Sequence, residues 1–156
     1  MKESNQQILA ELIEDGHRLN KLGELEGALD KFEQATKLEP NSEYAWYNLA
    51  VVLRKLEKSA ESITAYGRAI QCNPHFVLAF CNRGMALMEQ GRLDEADLDF
   101  VAAIAIKPAY DKAYLGRGNV ALLKGQRASA REFYQEALRI NPAYELAKRT
   151  LIQLDA

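Results

Sequence analysis

Several residue groups in this chain have the types and spacing of chemical sites. Gly116, Gly118 and Ala121 spell a G-x-G-x-x-A pattern, the spacing that lets a backbone approach a dinucleotide pyrophosphate where a strand meets a helix. Asp94, Asp97 and Asp99 form a carboxylate run of the sort that can hold calcium. His17 and His75 could move protons, and Cys72 and Cys81 could act as thiols. Each chemistry also needs an element to hold its residues. A phosphate cradle needs a strand ahead of its glycines, a calcium loop needs a glycine turn, and a nucleophile needs a base within reach.

The elements follow from the prolines. Pro40, Pro74, Pro108 and Pro142 are the only four, and each stands 34 residues from the next. A fixed period of that length marks one structural unit copied along the chain. With Leu9 as position 1, position 4 is Leu12, Trp46, Phe80 and Tyr114, and position 8 is Gly16, Ala50, Gly84 and Gly118. Position 20 is Ala28, Ser62, Ala96 and Ala130, position 24 is Phe32, Tyr66, Phe100 and Tyr134, and position 27 is alanine in every copy. Spacings of three, four and seven are helical. Gly23, Gly91 and Gly125 split three of the units into two helices, and each proline closes the second helix. Glu57 takes the glycine position in the second unit, where the same turn would cost it roughly 1 kcal/mol.

This register disposes of the chemical motifs. The glycines of 116–121 fall inside a predicted helix, with Gly118 at packing position 8. The aspartates also lie on a helix without a loop glycine, and neither histidine has a cysteine or serine arranged for nucleophilic catalysis. Arg83 and Arg117 share position 7, usually apolar, and are expected to bury their stems and expose their heads.

Composition narrows the function further. Of 156 residues, 48% are hydrophobic and 27% charged, as in a globular chain, and a net charge of −2 leaves no overall basic footprint for nucleic acid. No apolar run suits membrane insertion, and the start lacks the apolar stretch of a signal peptide. The two cysteines fit neither a disulfide framework nor a metal site, so reduced thiols and a cytoplasmic location are expected, with no cofactor or metal. The charge is uneven. The first unit has eight acids and four bases, hence −4; the fourth has three acids and six bases, hence +3.

The recurrent positions resemble the tetratricopeptide repeat family over residues 9–144. The resemblance implies an all-α fold, a right-handed solenoid of helix pairs in a single domain, with repeats 9–42, 43–76, 77–110 and 111–144. Residues 145–156 would form a capping helix, although Lys148 stands where an aromatic is expected. It also implies a non-catalytic adaptor that binds an extended peptide of a protein partner. In such repeats the first helix of each pair lines a concave groove through positions 2, 5, 6, 9 and 12. Here those positions supply Tyr44, Tyr47, Asn48, Val51 and Arg54 from the second repeat, and Leu78, Cys81, Asn82, Met85 and Met88 from the third. The fourth supplies Lys112, Leu115, Gly116, Asn119 and Leu122; the first supplies Ala10, Ile13, Glu14, His17 and Asn20.

Asn48 and Asn82 share one repeat position and resemble a short form of the asparagine ladder of the O-linked N-acetylglucosamine transferase family, with Glu14 and Gly116 on its outer rungs. The carboxylate clamp of chaperone-binding repeats matches only at Asn82 and Lys112; Tyr47, Val51 and Gly116 replace its other ligands. Two alternatives stand beside the peptide adaptor. One is a self-associating scaffold joined through the outer face or the ends, acidic first repeat against basic fourth. The other is the recognition part of a larger enzyme such as a glycosyltransferase.

Overall fold

The computed structural model describes residues 2–155. Among them the chain is all-α, with nine helices: α1 (Lys2–Leu22), α2 (Leu25–Leu38), α3 (Glu43–Lys55), α4 (Ser59–Cys72), α5 (Val77–Glu89), α6 (Leu93–Ile106), α7 (Asp111–Leu123), α8 (Arg127–Ile140) and α9 (Glu145–Asp155). The fold class is the all-α solenoid of antiparallel helix pairs. Packing groups the residues into two compact units, 1–79 and 80–156.

The turns within pairs follow the predicted chemistry. Gly23, Gly91 and Gly125 have φ of 82°, 72° and 75°, and Glu57 has φ of 60°. All four turns close with the same long backbone bond. Glu24 N–H donates to Leu19 C=O at 3.0 Å, and Lys58, Arg92 and Gln126 donate to Leu53, Leu87 and Ala121 at 2.9 Å. This six-to-one bond satisfies a carbonyl that the helix end would otherwise leave without a partner. Glu57 therefore occupies a left-handed turn with a side chain that disfavours it. Glu57→Gly is expected to stabilise the protein by about 1 kcal/mol, raising Tm by about 2–4 °C in a thermal melt. An unchanged or lower Tm would refute the strain.

The second helices end as the prolines require. Glu39, Asn73, Lys107 and Asn141 leave helical geometry with φ between −132° and −139°. Each donates its N–H to the position-27 alanine carbonyl, at Ala35, Ala69, Ala103 and Ala137.

The core is built on ring against glycine. Phe32, Tyr66, Phe100 and Tyr134 are the largest fully buried rings. A Cβ on Gly16 would lie 2.7 Å from the Phe32 ring, one on Gly84 3.0 Å from Phe100, and one on Gly118 2.3 Å from Tyr134. Glycine at position 8 thus admits the position-24 ring of its own pair, a stronger requirement than backbone approach alone. The position-4 residues Leu12, Trp46, Phe80 and Tyr114 stay half-buried, so the position-24 rings supply the fully buried aromatic core. Helix α9 buries Ala147 and Leu154 against Ala130, Tyr134 and Ala137, and the Arg127 guanidinium donates to the Leu154 carbonyl. Its outer face is less polar than a solvating cap implies, since Leu146 and Ile152 are exposed beside Arg149.

Candidate functional site

In the first unit the candidate face is carried by α1 and α3. Ser42 caps α3, its hydroxyl accepting from Ala45 N–H at 3.2 Å, which sets the helix start one residue ahead of Tyr44. Tyr44 is 58% exposed and meets Phe76 edge-on with ring centroids 5.2 Å apart. Tyr47 also lies 5.2 Å from Phe76 and 5.9 Å from Tyr66. Three aromatics therefore make a shelf at the start of α3, held from below by a buried tyrosine. Phe76 was not among the predicted site residues. Its position in the repeat is Ser42, Phe76, Tyr110 and Tyr144, aromatic in three copies, and that recurrence was the available signal.

One and three turns past Tyr44, polar groups tie α3 to α1. The Asn48 amide lies 3.3 Å from His17 Nε2, donating to it when the imidazole proton is on Nδ1. Lys55 donates to Asn20 Oδ1 at 2.7 Å. The His17 ring itself stands edge-on to Phe32 at 5.5 Å. His17 thus helps to position Asn48. Val51 and Arg54 are half-buried on the same helix.

In the second unit the predicted residues divide. Asn82 and Met85 are half-buried and Lys112 is exposed. Cys81 and Leu115 are only 2% and 6% exposed, so these two expected groove side chains present almost no surface. Burial pushes the Cys81 thiol up to about 11, which keeps it protonated and unreactive at neutral pH. Asn119 accepts the Tyr134 hydroxyl at 2.9 Å, so part of its capacity serves the core. Burial also raises the Tyr134 pKa, which keeps that hydroxyl a donor. Gly116 is packing as well: a Cβ there would lie 2.4 Å from the Phe100 ring. Both glycines of the dinucleotide-like motif are therefore space for aromatic rings from α6 and α8.

The aspartate run has a structural role, and the arginine heads differ from expectation. Asp99 takes both Arg83 hydrogen bonds at 2.7 Å, Asp97 takes Arg117 at 2.8 and 3.3 Å, and Asp94 takes Lys124 at 2.5 Å. The Arg117 guanidinium also stacks 4.3 Å from the Phe133 ring centroid. The position-7 arginines are thus bound to α6 rather than extended into solvent. No group of three metal-ligating side chains occurs among the described residues, and no helix among them is long and apolar enough to cross a membrane.

Comparisons with known proteins agree with this architecture. A family model described as "TPR repeat" matches residues 16–57, and models described as "Tetratricopeptide repeat" match 43–76 and 81–145. The structure is similar to a crystal structure of MamA, at TM-score 0.81 and 25% identity over 86% of this chain and 78% of that one. It is also similar to PilF of Pseudomonas aeruginosa, at TM-score 0.87 and 23% identity over 97% and 69% of the two chains. A third similar structure is the first repeat domain of Spaghetti (RPAP3) bound to the HSP90 peptide SRMEEVD, at TM-score 0.74 and 22% identity over 76% and 94%. No protein of curated function matches the sequence.

Proposed function

We propose that this chain, which belongs to the tetratricopeptide repeat family, uses the face of its first helices to hold an extended peptide segment of a protein partner, without catalysis. Family membership makes it a protein–protein interaction module; the peptide and the face are our reading. The observation that carries it is the α3 face, where Tyr44, Tyr47 and Phe76 form an aromatic shelf beside the Asn48 amide. Rigid rings offer contact area at low entropic cost, and an amide can pair with a peptide's own backbone. With Nδ2 directed to His17, Asn48 presents Oδ1 as an acceptor for a peptide N–H. Asn82, Met85 and Lys112 supply the same register positions of the second unit.

The peptide favoured by this reading has an apolar side chain for the shelf and is not gripped by its C-terminal carboxylate. RPAP3 is bound to the peptide SRMEEVD, whose last residue is aspartate. In this chain Gly116 stands where the chaperone-binding clamp places an arginine, and the Phe100 ring leaves no room there for any side chain.

The test is selection of randomised peptides displayed on phage against the full chain, then fluorescence polarisation of the selected peptides. Micromolar binding, about −8 kcal/mol, is expected. Tyr44→Ala should weaken it about tenfold, and Asn48→Ala about two- to tenfold, at roughly 0.5–1.5 kcal/mol for the lost hydrogen bond. Selected peptides that bind these variants as tightly as the wild type would refute the reading.

A further inference from the structure

One helix face breaks the pattern of the repeats. On the second helix of each pair, positions 22 and 29 face solvent. They are Asp30, Thr64 and Glu132, and Lys37, Gln71 and Arg139, in three of the repeats. The two positions between them, 25 and 26, are polar or glycine in the same three repeats. In the third repeat all four are apolar: Leu98, Val101, Ala102 and Ala105. They sit at i, i+3, i+4 and i+7 of α6, which makes one continuous stripe. Leu98 is 67% exposed and Val101 41%, and Ala105 is exposed too. The buried side of α6 is already occupied by Ala96, Phe100 and Ala103, so this helix is apolar on two faces. A continuous apolar stripe rimmed by charge, on a face that is polar in the other repeats, marks an interaction site.

We propose that α6 is the contact through which two copies of this chain form a two-fold symmetric dimer, with their α6 helices antiparallel. The order of residues along the stripe selects a second copy. Large side chains fill its N-terminal half and small ones its C-terminal half. A two-fold axis between Val101 and Ala102 sets Leu98 against Ala105 of the partner subunit and Val101 against Ala102 of the partner subunit. Large thus meets small at every step, and each half supplies what the other lacks, as a self-complementary interface requires. The charges follow the same order. Asp94 and Glu95 stand at the start of α6 and Lys107 just past its end, and all three are exposed. The antiparallel arrangement brings the acidic start of α6 toward the end of the partner's α6, where the Lys107 ammonium lies 5.4 Å from the Tyr110 ring in each copy, and opposes the helix dipoles favourably. A parallel pair would set like charges together. Glu95 makes an exposed pair with Arg92 at 2.6 Å, and such a pair contributes little in water.

A single helix pair is a small interface, below about 1,200 Å² in total, so a weak dimer is expected, with Kd of about 10–100 μM. The experiment is sedimentation velocity of the full chain from about 5 to 500 μM, a range that brackets that Kd. The expected result is a concentration-dependent monomer–dimer equilibrium. Leu98→Glu should weaken it at least about tenfold by placing a charge in the stripe. Lys107→Glu should weaken it about threefold, and adding Glu95→Lys should restore it, which only the antiparallel pairing predicts. Leu98 is exposed, so the melting curve and peptide binding of Leu98→Glu should match the wild type. A single monomeric species throughout would overturn the proposal and leave the stripe to a different protein. A dimer indifferent to Leu98→Glu, or a charge swap that fails to rescue, would overturn it equally.

Discussion

Phe100→Ala is expected to remove about 3–5 kcal/mol of stability, the usual cost of emptying a buried phenylalanine site. For a chain of this size that lowers Tm by about 6–20 °C, read by thermal or urea denaturation. The ring is fully buried and is enclosed from two helices. A Cβ added at Gly84 on α5 would lie 3.0 Å from it, and one at Gly116 on α7 would lie 2.4 Å from it. Backbone this close on two sides cannot collapse into the space without moving whole helices, so a cavity remains. The same geometry predicts a strong coupling. Gly116→Ala alone should cost about 1–3 kcal/mol by overpacking against the ring. In the Phe100→Ala background the added methyl has room, and its cost should vanish or change sign. Additive effects of the two substitutions would contradict this packing.

The second large effect is expected at Arg83. Its guanidinium forms two 2.7 Å hydrogen bonds to Asp99, whose side chain is only 7% exposed. Arg83→Met keeps much of the stem's volume and leaves that carboxylate buried without its partner. Breaking such a pair from one side costs about 3–5 kcal/mol. Asp99→Leu alone should cost less, because Arg83 keeps partial access to water. The double variant Arg83→Met with Asp99→Leu should recover most of the loss, since well-packed apolar residues often replace a buried pair at little cost. Urea denaturation of the three variants measures the coupling. A double variant as unstable as Arg83→Met would show that the loss comes from packing of the stem instead of from the charge.

Much of the fold was legible because the repeat fixes a register. Position 24 is a ring and position 27 an alanine in every copy, and each glycine turn recurs at one place. Those features depend on local geometry: the period of a helix, the left-handed turn, the residue before a proline. Glu57 was legible for the same reason. Its turn is made by backbone bonds within six residues, and the long bond from Lys58 to Leu53 shows that geometry intact. The candidate site was legible only as a list of positions. Tyr44, Tyr47 and Asn48 are brought to one face of α3, as the register implies. Cys81 and Leu115 share the repeat position of Tyr47 but are buried, Leu115 in the cluster that includes Tyr134, Ala147 and Leu154.

The motifs divide along the same line. A helix containing Gly116 and Gly118 could be read from the spacing alone, and it excludes the dinucleotide cradle. That Gly116 holds open the space for Phe100, a ring from the preceding repeat, could not. Likewise, three aspartates within six residues look like one cluster in the chain. In the folded protein each takes a different cation: Lys124 just past the end of α7, Arg117 on α7 or Arg83 on α5. Period, turns and helix ends are set by interactions between residues a few positions apart, so the residues alone determine them. Which ring meets which glycine, which acid meets which arginine and which apolar stripe remains uncovered depend on contacts between helices, and those exist only once the helices have packed.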